Sequence, residues 1–149
     1  MNQAIVVDAS VAVKWLLDED LTDKARALLA NARDARVPLL GPPHLPIEVT
    51  NTIHQRFRRK DITEAEADEA LTKFLVLPLR LLGPAHLYRR ALTFVREHRL
   101  GDTYDSLYVV LAEILDSELW TDDRALLKAV GSVAPWVRWI GDYVPPKTS

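Results

Sequence analysis

Cysteine is absent from the 149 residues, which excludes a disulfide framework, thiolate zinc sites and a cysteine nucleophile. Glycine is scarce, with five in all, and neither a Gly-x-Ser-x-Gly elbow nor a phosphate-cradling glycine loop occurs. The four histidines, His44, His54, His86 and His98, show no HxxxH-type pairing, so they do not read as a zinc site. No apolar run approaches the roughly 20 residues of a membrane span. Met1-Asn2-Gln3-Ala4 lacks the charged n-region of a signal peptide, and a cytoplasmic protein with no membrane association is expected. There is no excess of positive charge either: 19 Lys and Arg stand against 21 Asp and Glu, a net charge of −2. That balance excludes a general basic nucleic-acid coat or a polybasic anchor, though not a local basic patch.

What is present is ordinary for a globular protein: 48% hydrophobic and 27% charged residues. The length suits one domain, which at this size buries about 68–70% of the surface its unfolded chain exposes. We expect a single domain over residues 1–143 and a short polar tail over 144–149, where Pro145, Pro146 and Lys147 fall. No internal repeat or low-complexity segment interrupts the chain.

Short apolar runs alternate with helical ones. Ala4 to Val7 reads as a buried strand, followed by an apolar helix over Val11–Leu17. Asp20 is the expected N-cap of a second helix running to about Arg33. A short strand over Val37–Leu40 precedes a helix from about Leu45 to Lys60, striped at Leu45, Val49, Ile53 and Phe57. Thr63 and Glu66 form a capping box for a helix ending near Leu75. Val76 to Leu82 is a candidate strand that Pro78 places at an edge. Helices over Ala85–His98 and Thr103–Leu115 come next. A strand over Glu118–Thr121, a helix over Asp123–Val130 and a strand over Trp136–Ile140 complete the chain. Strands interleaved with helices predict an α/β domain with a mostly parallel sheet.

In such sheets ligands bind beyond the C-terminal strand ends. Asp8 ends the first strand there, and Asp122 and Asp123 follow Glu118–Thr121. Asp105 opens a helix apolar on all sides, which should be buried with its first turn near the sheet. Glu48 lies early in another helix, with Asn51, Thr52 and Gln55 continuing a polar stripe. Taken singly, each aspartate is also what helix capping and the helix dipole favour, and Glu48 is also a charge on a wet face. Several carboxylates near one sheet end repel unless protons or cations are shared. Hard divalent cations such as Mg²⁺ or Mn²⁺ take such oxygen ligands.

The segments Asp8-Ala9-Ser10-Val11-Ala12-Val13-Lys14-Trp15-Leu16-Leu17, Tyr104-Asp105-Ser106-Leu107-Tyr108-Val109-Val110-Leu111-Ala112-Glu113 and Leu119-Trp120-Thr121-Asp122-Asp123-Arg124-Ala125-Leu126 resemble three motifs of PIN-domain proteins of the VapC toxin type. Glu48, within Pro46-Ile47-Glu48-Val49-Thr50-Asn51, matches that family's helix-borne glutamate in order and spacing. The similarity runs from about Ile5 to Tyr143. It implies a PIN-like three-layer α/β/α sandwich, a divalent metal (Mg²⁺ or Mn²⁺) and metal-dependent endoribonuclease activity. It also implies the toxin role in a type II toxin–antitoxin system, with an RNA substrate, a cognate antitoxin protein and usually a homodimer. Carried over by motif, the catalytic and metal-holding acids are Asp8, Glu48, Asp105 and Asp123. Ser10, Thr121 and Asn51 are supporting residues, and Asp122 fills the variable middle of Thr-x-Asp as an auxiliary. Ser106 departs from the family's frequent alanine and leaves the acidic set intact. The competing reading is a non-catalytic PIN-fold module that binds RNA or protein; loss of an acidic motif would be its sign, and all four are present. A phospho-acceptor domain is disfavoured because Asp8 has no acidic neighbour before Asp18.

Arg56, Arg58, Arg59 and Lys60 make the densest basic segment, at the end of the helix bearing Glu48. They are candidates for RNA backbone contact, and equally cations favoured near a helix C-terminus. Of four tryptophans, Trp15 reads as packing in preference to a base-stacking platform.

Overall fold

Five short strands, each flanked by helices, order the computed structural model, which describes residues 4–147; Met1–Gln3, Thr148 and Ser149, where part of the N-terminal reading and the tip of the expected tail fall, lie outside the described residues. The chain runs β1 (Ile5–Val7), α1 (Ala9–Leu16), α2 (Thr22–Asp34), β2 (Leu39–Gly41), α3 (Leu45–Arg58), α4 (Glu64–Leu75), β3 (Leu79–Leu81), α5 (Ala85–His98), α6 (Tyr104–Ile114), β4 (Glu118–Thr121), α7 (Arg124–Val130) and β5 (Val137–Trp139), then a 3-10 turn at Ile140–Asp142. The strands lie in the order β3-β2-β1-β4-β5, and every pairing is parallel, with Val6 opposite Leu40 on one side and Leu119 on the other. The sheet is thus wholly parallel where a mostly parallel one was expected. On one side α1 packs with α2, α3 and α4; α6 packs on α5, β1 and β4. The result is a three-layer α/β/α sandwich.

A parallel sheet covered on both faces needs strands apolar throughout, and Val6, Val7 and Leu119 are fully buried. The helix α6 follows the same logic: Ser106 through Ala112 are all buried. Each large apolar side chain removed from water there contributes about 1.5–3 kcal/mol.

The Thr63–Glu66 capping box forms as read, with Thr63 Oγ1 accepting from the Glu66 N–H and the Glu66 carboxylate accepting from the Thr63 N–H. The strand after Pro78 is shorter than expected but lies at the sheet edge, since Val76 is already spent closing α4. Asp20 does not cap α2. The N-cap is Leu21, left-handed at φ 67° and without a side-chain cap bond, while the Asp20 carbonyl accepts from Lys14 Nζ at 2.7 Å. The last strand stops at Trp139, and Ile140 turns into the 3-10 helix.

Candidate active site

The strand order reverses at β1, so the crevice beyond the C-terminal ends of β1 and β4 is where such a sheet leaves room for a ligand. Asp8 stands there. It caps α1 by accepting from the Val11 N–H at 3.3 Å, takes the Ser10 hydroxyl at 2.5 Å on the same oxygen, and takes the Thr121 hydroxyl on the other. The residue is only 6% exposed. Ser10 and Thr121 in turn accept backbone N–H groups of the β4–α7 turn, from Asp122 at 2.8 Å and Asp123 at 2.9 Å. Two hydroxyls therefore tie the end of β1 to the end of β4 and fix where Asp123 starts α7, which it caps through the Leu126 N–H at 3.0 Å.

Glu48 reaches the cluster from the first turns of α3. Its Oε1 accepts the Tyr108 hydroxyl at 2.5 Å and stands 3.2 Å from His44 Nε2. Asp105, in the first turn of α6, completes the acids.

The electrostatics show that these groups share one space. Burial pushes the Asp8 carboxyl up to about 6, against the pull of the Ser10, Thr121 and Val11 hydrogen bonds and with the Asp123 charge adding to the rise. Burial, then the charges of Asp123, Glu48 and Asp102, push Asp105 up to about 6. Glu48 is held below the usual glutamate range: burial raises it, but the hydrogen bonds from His44 and Tyr108 and the His44 charge outweigh that. Burial and the negative charges of Glu48, Asp8 and Asp105 hold the Tyr108 phenol far above its ordinary value. Asp123 thus lies within electrostatic reach of Asp8 and Asp105, Glu48 within reach of Asp105, and Tyr108 within reach of Asp8, Glu48 and Asp105.

Among the described residues no three Asp, Glu or His side chains form a preformed cation cage. The chemistry of the donor set nonetheless suits a hard divalent ion. It offers oxygen only, and two of the carboxyls are pushed up, first by burial and then by neighbouring negative charge that a cation would offset.

Other expected site residues sit elsewhere. The Asp122 side chain is taken up by Lys14 Nζ at 2.9 Å and the Trp139 indole N–H at 2.9 Å. Asn51 is exposed, on the rim of a shallow hollow with Pro46, Ile47, Thr50 and His54. Arg56 pairs with Glu19 at 3.0 Å and Arg59 with Asp61 at 3.5 Å, while Arg58 and Lys60 are exposed. Trp15 is packed in the core and donates to the Ala25 carbonyl at 2.7 Å. Three contributors have no role in the sequence reading: Lys14, Tyr108 and His44. Lys14 gave a signal, a lone cation in the otherwise apolar α1; Tyr108 and His44 gave none, because their partner Glu48 is set by tertiary packing.

A wholly parallel α/β sandwich with carboxylates gathered at its switch point defines an acid-cluster class of α/β protein. The chain belongs to the PIN domain family, which it matches over residues 5–132, and PIN domains are generally metal-dependent nucleases. Among solved structures it is similar to PAE2754 from Pyrobaculum aerophilum, with 22% identity, a TM-score of 0.67 and coverage of 95% of this chain and 93% of that one. No curated protein matches it. Among the described residues no helix is long and apolar enough to cross a membrane.

Proposed function

We propose that the protein is a metal-dependent endoribonuclease, the toxin of a type II toxin–antitoxin pair of the VapC kind, acting in the cytoplasm. The observation that supports this reading is Asp8 buried beyond the ends of β1 and β4, tied by Ser10 and Thr121 to the turn that carries Asp123, with Asp105 feeling the charges of Asp123 and Glu48. Asp8, Asp105 and Asp123 would hold Mg²⁺ or Mn²⁺, with Glu48 sharing the ion or orienting the attacking water. A bound divalent ion supplies two things there: a lowered pKa for water and stabilisation of charge developing on a phosphate. Ser10 and Thr121 keep the Asp8 carboxylate in register with the β4–α7 turn. Residues 1–143 would act as one catalytic domain, as a homodimer, silenced by an antitoxin protein that covers the acids.

Purified protein incubated with RNA and Mg²⁺ or Mn²⁺ tests this directly. Cleavage that stops with a chelator and with Asp8→Asn is expected. Absence of cleavage with either ion, or full activity in Asp8→Asn, would overturn the reading. A growth defect on expression, relieved by the product of an adjacent gene, tests the toxin role.

A further inference from the structure

Glu48 is held by one oxygen only. The Tyr108 phenol is the largest fully buried side chain, and its single proton goes to Glu48 Oε1 at 2.5 Å. His44 Nε2 lies 3.2 Å from that same oxygen and 3.1 Å from the Tyr104 carbonyl. Both neighbours are acceptors, so Nε2 carries the proton. His44 Nδ1 is buried without a partner, which leaves Nε2 as the ring's only bonded atom. The imidazole also packs against the Tyr108 ring, 4.9 Å between centroids. The two donors come from different elements, His44 as the N-cap of α3 and Tyr108 from the second turn of α6. Oε1 thus takes the phenol proton outright and shares the His44 N–H with the Tyr104 carbonyl, while Oε2 has no hydrogen-bond partner among the described residues.

We propose that Tyr108 and His44 are positioning residues that clamp Glu48 by Oε1, so that Oε2 alone is presented to a divalent cation. The inference rests on the metal-dependent reading above and deepens it. A carboxylate free to rotate samples poses in which neither oxygen faces the ion; the phenol donor and the shared imidazole N–H on one oxygen remove most of them. Partners of this kind behind a metal ligand are typically worth 10–100-fold in metal affinity. The clamp also has a directional consequence. Tyr108 sits within reach of the Asp8 and Asp105 charges as well, so the phenol fixes Glu48 in relation to the other acids and not merely to its own helix.

The test is Mn²⁺ binding to the full-length protein, read from the free-ion electron paramagnetic resonance signal without any RNA present. Tyr108→Phe keeps the buried ring and removes the donor; it should weaken Mn²⁺ about tenfold, with an unchanged circular dichroism spectrum. His44→Asn should weaken it by a smaller factor. Acting through Glu48 means that Tyr108→Phe adds nothing in a Glu48→Gln background, a non-additivity that a merely structural role would not produce. Binding within twofold of the parent in Tyr108→Phe, while Glu48→Gln loses affinity, would overturn the clamp and leave the metal reading standing. Additive losses would overturn it too. If Tyr108→Phe fails to fold, His44→Asn decides by the same cycle with Glu48→Gln. Parent-like Mn²⁺ binding in Asp8→Asn and Glu48→Gln together would instead remove the metal reading, and the clamp with it.

Discussion

Asp8 does local and long-range work with one side chain. It caps α1 through the Val11 N–H and accepts hydroxyls from both its own helix and the end of β4. Burial nonetheless pushes it up to about 6, so at neutral pH its charge is held at a cost in free energy. A carboxyl whose folded pKa exceeds its unfolded value binds its proton more tightly in the native state. Stability of the metal-free protein therefore rises as pH falls through about 6, until the unfolded chain also protonates near 3.8. Across that window Asp8 contributes on the order of 3 kcal/mol. Asp105, also raised to about 6, acts in the same direction but is partly exposed and counts for less. Asn keeps the cap and cannot ionise. Asp8→Asn should abolish RNA cleavage, exceed the parent in stability at pH 7.5 in chelator, and keep only about half of that advantage at pH 5. Urea unfolding of both proteins at the two pH values checks this; parallel changes in the two would contradict it.

At the scale of elements, Lys14 joins α1 to the loops around it. It is 2% exposed and holds Asp122, Glu19 and the Asp20 carbonyl. Removing one partner of a buried charge pair costs about 3–5 kcal/mol. Lys14→Met should lower stability by that order in urea titration, and adding Asp122→Asn should recover part of it. This network also explains which elements the sequence made legible. Local patterns were readable: the Thr63–Glu66 box, the edge strand after Pro78 and the all-round burial of α6 each follow from neighbours in the chain. The Asp20 cap falls one residue early because the helix starts through a left-handed Leu21, a conformation that a leucine does not signal. Helix ends blurred for a related reason. With so few glycines, α2, α3 and α6 turn out through left-handed Arg36, Lys60 and Asp116, residues that do not signal a stop. The left-handed region costs an L-residue about 1–2 kcal/mol, partly offset for glycine by its own entropy loss. Arg36→Gly should therefore stabilise the protein by about 0.5–1 kcal/mol, seen as a higher urea midpoint at unchanged slope. Of the site, the acids were legible as motifs. Ser10 and Thr121, which bond Asp8, were legible in the same motifs; Tyr108 and His44 were not, since the Tyr108–Glu48 bond spans 60 positions.

For the molecule as a whole, the question is how a chain of net charge −2 would hold an acidic polymer. Asp8, Glu48, Asp105, Asp122 and Asp123 are five of its 21 acids; the remaining 16 stand against 19 bases, a balance of +3. Bound divalent ions would cancel the repulsion at the site itself, leaving the basic end of α3 to meet phosphate. Arg58 lies ten residues beyond Glu48, about 15 Å along the helix, within two or three nucleotides of an extended strand. The four cations there are not equivalent. Arg56 is committed to Glu19, half-shielded from water, whereas Arg59 holds Asp61 only across an exposed 3.5 Å contact of small worth. Arg58 has no carboxylate partner among the described residues. If this segment grips RNA, Arg58→Ala and Arg59→Ala should each flatten the dependence of log affinity on log salt by somewhat less than one unit, measured with single-stranded RNA on the Asp8→Asn protein. Arg56→Ala should lower stability and leave that slope as it was. Equal slopes for all three variants and the parent would take the end of α3 out of the RNA path.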